Sequence, residues 1–323
     1  MTHTPGTTPG TSTSSSPSSA PRALVVGEAL VDVVRQLDGG VEDHVGGSPA
    51  NVAIGLGRLG RTVDLLTWFA PDAHGKLVRR HLEDSAVHIL PGSDGADSTS
   101  VAIATLDATG AATYTFDLDW QVPAGAALPA DVVVVHSSTI GAALAPGGEA
   151  VLRLLEDARA QSTVTYDPNV RPALLGTAEH TRPLVARLVE LADVVKVSDE
   201  DLAWLEPGVA LIEVAAKWAT AGPGLIVVTR GGDGVIAVTS GGVHVEVPAR
   251  TVPVADTVGA GDSFMSGLID GLWTAGLLGA ARRADLGAID AATLTSILER
   301  SARIAAITVS RAGANPPWTA ELI

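Results

Sequence analysis

The chain has 323 residues, 46% of them hydrophobic, 18% charged and 3% aromatic. That is enough apolar surface for a large core of Ala, Val, Leu and Ile, and it suits an α/β protein better than an all-β sandwich. A net charge of −15 leaves no basic surplus for nucleic acid, and the absence of cysteine excludes disulfides, thiolate catalysis and cysteine-held zinc; no apolar run is long enough to span a bilayer.

Residues 1–21 are rich in Ser, Thr, Pro and Gly and lack both the basic start and the apolar core of a signal peptide. They read as a disordered tail, and the protein is expected in the cytoplasm. One domain is expected over 22–323. It opens with Ala23-Leu24-Val25-Val26, an apolar run stopped by Gly27 that predicts a buried strand. Residues 31–36 and 41–44 flank the turn Asp38-Gly39-Gly40 and predict a hairpin; 99–106 and 112–118 flank Ala108-Thr109-Gly110 and predict another. These segments, spanning 31–45 and 98–119, are expected to form a small separate sheet. Between them Pro49 to Leu56 reads as a helix, with Pro near its start and Gly60 as its stop. Strands expected at 63–68, 132–136, 164–166, 194–197 and 225–229 alternate with helices such as 150–161 and 184–191. Such alternation predicts a mostly parallel sheet covered by helices on both faces, with ligands at the carboxyl ends of its strands. There lie Asp167-Pro168-Asn169, Ser198-Asp199-Glu200 and Thr229-Arg230-Gly231-Gly232.

His74, His81 and His88 recur at one spacing; on a helix they form a single stripe, too spread for one metal ion, and read as a solvated face. Arg79-Arg80 and Arg282-Arg283 read as surface charge. Gly55-Leu56-Gly57-Arg58-Leu59-Gly60 matches the dinucleotide fingerprint, but that loop must follow a strand and open a helix, and here it lies within one.

The stronger anion site is Asp256-Thr257-Val258-Gly259-Ala260-Gly261-Asp262-Ser263, which precedes Phe264, Leu268 and Leu272 at helical spacing. Its glycines expose backbone N–H groups at a helix N-terminus, where the dipole adds partial positive charge. These donors can hold a phosphoryl group in flight without any lysine. Asp262 either takes the proton of an attacking hydroxyl or caps the helix; the residues alone leave both readings open. Met265 is expected in the core behind this loop.

The same segment resembles the D-T-x-G-A-G-D signature of the ribokinase-like (PfkB) sugar kinases at every fixed position. Gly46-Gly47-Ser48-Pro49-Ala50-Asn51-Val52-Ala53, followed by Leu59-Gly60, resembles that family's G-G-x-x-x-N-x-A…L-G segment. The resemblance covers nearly everything after the tail. It implies a three-layer α/β/α fold with about nine central strands and a small β lid over the sugar. It also implies transfer of the γ-phosphate of ATP to a sugar hydroxyl. Asp262 would be the base, and the backbone N–H groups from Val258 to Gly261, through Gly259 and Ala260, the anion hole. Asp32, Gly47 and Asn51 would bind sugar hydroxyls. Ser198, Thr229, Gly231 and Gly261 would hold the nucleotide. Asp201, with Ser198, stands where the family often has Asn-x-x-Glu organising Mg²⁺ and its waters; both residues depart from that pattern. Asp256, with carbonyls near Thr308, Arg311 and Gly313, would hold a monovalent cation such as K⁺, although Pro317 replaces a serine of some members.

Asp167-Pro168-Asn169-Val170-Arg171-Pro172, Lys196-Val197-Ser198-Asp199-Glu200 and Thr113-Tyr114-Thr115-Phe116 resemble the fructokinase-like branch. Arg171 would meet a sugar hydroxyl or, if it faces a carboxylate, favour a sugar acid such as 2-keto-3-deoxygluconate; pairing with a neighbouring acid is the structural alternative. Trp120 either stacks on a sugar face or anchors the lid. A ribose or nucleoside kinase of the same fold and a binder that has lost catalysis are the competing readings. Scarce aromatics count against a nucleoside slot, and the complete Gly259-Ala260-Gly261-Asp262 run counts against a pure binder. Exposed lid strands that pair between subunits predict a homodimer.

Overall fold

The computed structural model describes residues 20–36, 40–106 and 112–322. The expected tail up to residue 19 and the turn residues Asp38, Gly39 and Ala108 to Gly110 lie outside them. In chain order the strands are β1 (Arg22–Val26), β2 (Leu30–Arg35), β3 (Val41–Gly46), β4 (Val63–Leu66), β5 (Val87–Ile89), β6 (Val101–Leu106), β7 (Ala112–Asp117), β8 (Val132–Ser138), β9 (Thr163–Asp167), β10 (Val194–Ser198), β11 (Leu225–Thr229), β12 (Val235–Thr239) and β13 (His244–Val247). They build a nine-stranded sheet in the order β13-β12-β11-β10-β9-β8-β1-β4-β5 and a four-stranded sheet in the order β3-β2-β6-β7.

The large sheet is parallel except at β12 and β13, which close one edge as an antiparallel hairpin. The expected strands do not include this hairpin, although Gly241-Gly242 marks its turn. Strands buried on both faces need apolar side chains on both, and β1 shows the consequence. Ala23 and Val25 pack with Val134, Val227, Phe264, Met265 and Leu268 on one face. Leu24 and Val26 pack with Val135, Val197, Leu155 and Leu188 on the other. Met265 therefore lies in the core, fully buried. β4 pairs with one side of β1 and β8 with the other, so the crossovers diverge there and open a crevice at its carboxyl end.

In the small sheet two antiparallel hairpins join through a parallel β2–β6 pairing. Trp120, just after β7, is 2% exposed and donates its indole N–H to Gly141 O at 2.7 Å. It anchors this sheet to the body of the protein and has no open face for a ligand.

Two expectations fail. His88 does not share a helix with His74 and His81: that helix (Ala73–Asp84) stops before Ala86, whose φ of 59° is incompatible with continuing it. His88 instead lies on β5 and bonds the buried Asp64 at 2.7 Å. Arg283 is not plain surface charge either. It reaches the buried Asp193 at 2.6 Å and donates to the carbonyls of Arg159 and Ser162.

Candidate active site

Two helix N-termini meet at the crevice. The Ala260–Thr274 helix starts from Gly259, whose φ of 73° is left-handed and whose added Cβ would lie 2.5 Å from the Ala314 Cβ; only glycine fits. The Ser48–Arg58 helix starts from Gly47, at φ 102°, where a Cβ would lie 2.4 Å from Glu28 O. A side chain at Gly55 would meet Ser266 Oγ at 2.3 Å, and one at Gly57 would meet Ser85 O at 2.1 Å. Gly55 and Gly57 of the apparent dinucleotide fingerprint are therefore packing glycines, which let the two helices and the Ser85 turn approach closely, while Gly60, at φ 85°, ends the helix.

Asp262, in the first turn of its helix, is 8% exposed. Its carboxylate does not cap that helix. Oδ1 accepts the Ser48 hydroxyl at 2.7 Å and Oδ2 accepts Asn51 Nδ2–H at 2.8 Å. Both donors come from the first turn of the facing helix, so two positive helix ends surround one carboxylate. Asn51, expected on the sugar, is thus committed on its amide nitrogen side, while its Oδ1 is buried with no partner.

The loop before Asp262 divides its donors. Val258 N–H bonds Asp256 Oδ1 at 3.0 Å and so is not free for an anion, contrary to expectation. Ala260 N–H makes only a long 3.3 Å turn bond to Thr257 O. Among the described residues the N–H groups of Gly259 and Gly261 take no partner. Asp256 Oδ2 also accepts Gly313 N–H at 2.9 Å, so this carboxylate ties the loop to the 308–313 segment.

The reading of an anion site without any lysine did not include Lys196. Its ammonium, buried on β10, bonds Asp167 Oδ2 at 2.8 Å. A Cβ on Gly261 would lie only 2.7 Å from its Nζ, so it sits directly beneath the anion loop. Burial alone would lower Lys196, but Asp167, with Asp262 and Asp201 behind it, holds it above the ordinary lysine value. Burial pushes Asp167 up to about 6, against the pull of Lys196. The sequence signal was a lone lysine inside the apolar run Val194-Val195-Lys196-Val197.

Acids line the other wall. Asp32 on β2 is half-buried; burial raises it, and His44 and Arg171 pull it back. A Cβ on Gly46 would lie 2.2 Å from Asp32 Oδ2, which explains the first glycine of the Gly46-Gly47 pair. Glu28, just past β1, is pushed up to about 7 by burial, with Asp262 adding to the rise. Arg171 is exposed, donates to its neighbour's carbonyl at Val170 O, and has no ion pair among the described residues; its charge is felt at Glu28 and Asp32.

The expected nucleotide residues lie one strand further along. Ser198 and Thr229 are register partners at the carboxyl ends of β10 and β11. Ser198 Oγ accepts Asp201 N–H at 3.0 Å and so caps the Asp199–Leu205 helix, and Asp201 Oδ1 accepts Val170 N–H at 3.1 Å. Gly231, at φ 49°, opens the turn after β11 with free space around its α-carbon. Among the described residues no three His, Asp or Glu side chains form a metal cluster, and no helix is long and apolar enough to cross a membrane.

Three comparisons bear on this geometry. The family described as pfkB family carbohydrate kinase matches residues 20–321. A fructokinase from Klebsiella pneumoniae is 34% identical over 262 residues, covering 78% of this chain and 85% of that protein. Among solved structures, an ATP-bound fructokinase from Xylella fastidiosa superposes with a TM-score of 0.80 at 25% identity, covering 93% of this chain and 96% of that one. A double mutant of a fructokinase from Vibrio cholerae O395, bound to fructose, ADP and a potassium ion, superposes with a TM-score of 0.71 at 25% identity, covering 92% and 94%.

Proposed function

The chain belongs to the pfkB family of carbohydrate kinases and is an ATP-dependent sugar kinase, and from that premise we propose that fructose is its substrate and Asp262 its base. The observation that carries the reading is the Asp262 carboxylate, held between Ser48 and Asn51 at the mouth of a helix N-terminus. A sugar hydroxyl placed against it loses its proton to the carboxylate as the new O–P bond forms, and the old bond to ADP breaks on the opposite side. Ser48 and Asn51 fix the carboxylate without neutralising it. Gly259 and Gly261 N–H groups, the helix dipole and the Lys196 ammonium receive the charge that builds on the phosphoryl oxygens.

Asp32, Gly47 and the free amide oxygen of Asn51 would bind the sugar's hydroxyls, under the small sheet acting as a lid that excludes water. Ser198, Thr229, Gly231 and Gly261 would hold ATP. Asp201 would fit a Mg²⁺ ion carried mainly by nucleotide phosphates and water, which would neutralise phosphate charge. Asp256 and the 308–313 carbonyls are the candidates for a monovalent cation; the potassium in the Vibrio cholerae enzyme supports that reading. Dependence on ATP supports the cytoplasm as the working compartment.

A second reading, a sugar acid such as 2-keto-3-deoxygluconate, is favoured by one observation: Arg171 is not engaged by a carboxylate of its own. The experiment is ADP release coupled to oxidation of NADH, with fructose, ribose, 2-keto-3-deoxygluconate and adenosine as acceptors. Fructose is expected to give the highest kcat/KM; turnover confined to another acceptor overturns the assignment. The exposed outer strands of the lid support a dimer, and sedimentation as a monomer at micromolar concentration would contradict it.

A further inference from the structure

We propose that Arg58 is a positioning residue for the anion loop, clamping the 313–316 segment against which that loop packs. The proposal rests on the reading of residues 256–262 as the anion site and concerns a side chain to which that reading gives no role.

Arg58 belongs to the Gly55-Leu56-Gly57-Arg58-Leu59-Gly60 run, and packing accounts for the glycines of that run but not for its arginine. It is the last residue of the Ser48–Arg58 helix, at the end opposite the residues that hold Asp262. A cation is favoured at a helix C-terminus, yet this guanidinium reaches off its own helix. Nη1 donates to Asn315 Oδ1 at 2.5 Å and to Pro316 O at 2.8 Å, and the guanidinium lies over the Trp318 ring, 5.5 Å from its centre. Nε donates to Ser85 Oγ at 3.1 Å and fixes the planar group from its other side. Among the described residues it has no ion pair. Its donors are spent on holding a stretch of chain, a task for which the rigid fork of arginine is suited.

That stretch meets the anion loop one and two residues earlier. Gly313 N–H donates to Asp256 Oδ2 at 2.9 Å, and Asp256 Oδ1 accepts Val258 N–H at 3.0 Å. Ala314 packs on Gly259: a Cβ added to Gly259 would lie 2.5 Å from the Ala314 Cβ and 2.8 Å from its Cα. Asn315 N–H closes a tight turn on Gly313 O at 2.8 Å, which couples the two ends of the segment. Residues 311–318 form neither helix nor strand, so no backbone ladder holds them in place. Arg58 therefore fixes one end of a short strap whose other end sets Asp256 and Gly259. Placement matters here, because a shift of about 1 Å in a group that faces the reacting atoms can cost about a hundredfold in rate.

Three replacements test the clamp on the full-length enzyme with fructose. Arg58→Met keeps the stem and removes every bond of the guanidinium. Asn315→Ala removes one acceptor from an exposed position, where folding should be undisturbed. Ser85→Ala removes only the bond on the far side of Arg58. Arg58→Met is expected to lower kcat at least about tenfold and Asn315→Ala about threefold, with fructose affinity by calorimetry within about threefold of wild type. Ser85→Ala should leave kcat within about twofold, and Asn315→Ala should cost nothing further in the Arg58→Met background, because both act on one segment. Wild-type kcat in Arg58→Met and Asn315→Ala overturns the proposal. So does an equal loss in Ser85→Ala, or a loss of fructose affinity in place of kcat, since either would make Arg58 a part of the general scaffold. Gly259→Ala separates the two readings: unchanged kcat there would remove the anion site and this proposal together, whereas a lowered kcat beside an unaffected Arg58→Met would remove the clamp alone.

Discussion

Replacing Asp262 by Asn separates the base from the scaffold that holds it. The carboxylate now accepts on both oxygens, from Ser48 at 2.7 Å and Asn51 at 2.8 Å. An amide has one oxygen and one NH₂. The oxygen can keep the Asn51 bond, and the Ser48 hydroxyl can rotate to accept from the NH₂, because a hydroxyl is both donor and acceptor. The structural cost of Asp262→Asn should therefore be about 1 kcal/mol, the scale of one altered hydrogen bond. The chemical cost is larger. An amide cannot take the sugar's proton, and general-base catalysis contributes about 10²–10⁴-fold. The expected result is a kcat lower by that factor, with fructose affinity by calorimetry within about threefold and little change in melting temperature. A kcat within about tenfold of wild type, with binding intact, would refute the argument: Asp262 would then orient the sugar without taking its proton.

Other outcomes follow from the same geometry. Lys196→Met should reduce kcat at least tenfold and also destabilise the fold by about 3–5 kcal/mol, since it leaves Asp167 buried and unpaired. Adding Asp167→Leu should recover much of the stability, measured by urea unfolding, and none of the turnover; recovery of turnover would mean that Lys196 serves only the pair. Gly259→Ala forces a side chain into a left-handed site 2.5 Å from the Ala314 Cβ, so it should cost about 1–3 kcal/mol and depress kcat; near-wild-type melting and rate would contradict that. The pH dependence of stability has a definite sign. Burial raises Glu28 from its ordinary 4.5 to about 7, so the folded form holds that proton more tightly than the unfolded chain. The stability this group contributes is complete below about 4.5 and is lost as pH rises through about 7, amounting to roughly 3 kcal/mol. Glu28→Gln should therefore gain on wild type in melting experiments between pH 5 and pH 8, and a pH-independent difference would show that Glu28 ionises normally.

What the sequence revealed was whatever is contiguous. The Gly259-Ala260-Gly261-Asp262 run states its own geometry, because a helix start, two bare amides and a carboxylate follow from neighbouring residues. The strands β8, β10 and β11 were visible because a strand covered on both faces must be apolar throughout. In the edge hairpin β12–β13, which was missed, only β13 weakens to alternation, as His244-Val245-Glu246-Val247; β12 is an apolar run like the others. The contacts of Ser48 and Lys196 were not legible for a different reason. Each acquires its role from a partner on another element, and only strand register and helix packing bring the pairs together. The same holds in reverse for Val258, whose N–H reads as an anion donor until the fold gives it to Asp256. Arg283 was misjudged because Asp193 is a buried acid that must be satisfied.

The choice between a neutral sugar and a sugar acid turns on the field inside the crevice. Glu28, Asp32 and Asp262 converge there, and an incoming carboxylate would have to approach all three, with the charge of Arg171 reaching Glu28 and Asp32 and Lys196 on the far side paired with Asp167. A neutral ketose meets the same acids as hydrogen-bond acceptors for its hydroxyls, which is what carboxylates offer best. Arg171→Ala distinguishes the two cases. If the acceptor is fructose, the lost side chain removes at most a hydroxyl contact, and kcat/KM should fall less than about tenfold. If it is a sugar acid, the variant strands a carboxylate among three acids, and the loss should exceed about a hundredfold on that substrate. A hundredfold loss with fructose itself would sink the neutral-field argument, because Arg171 would then be doing for an uncharged sugar what only a charge should require.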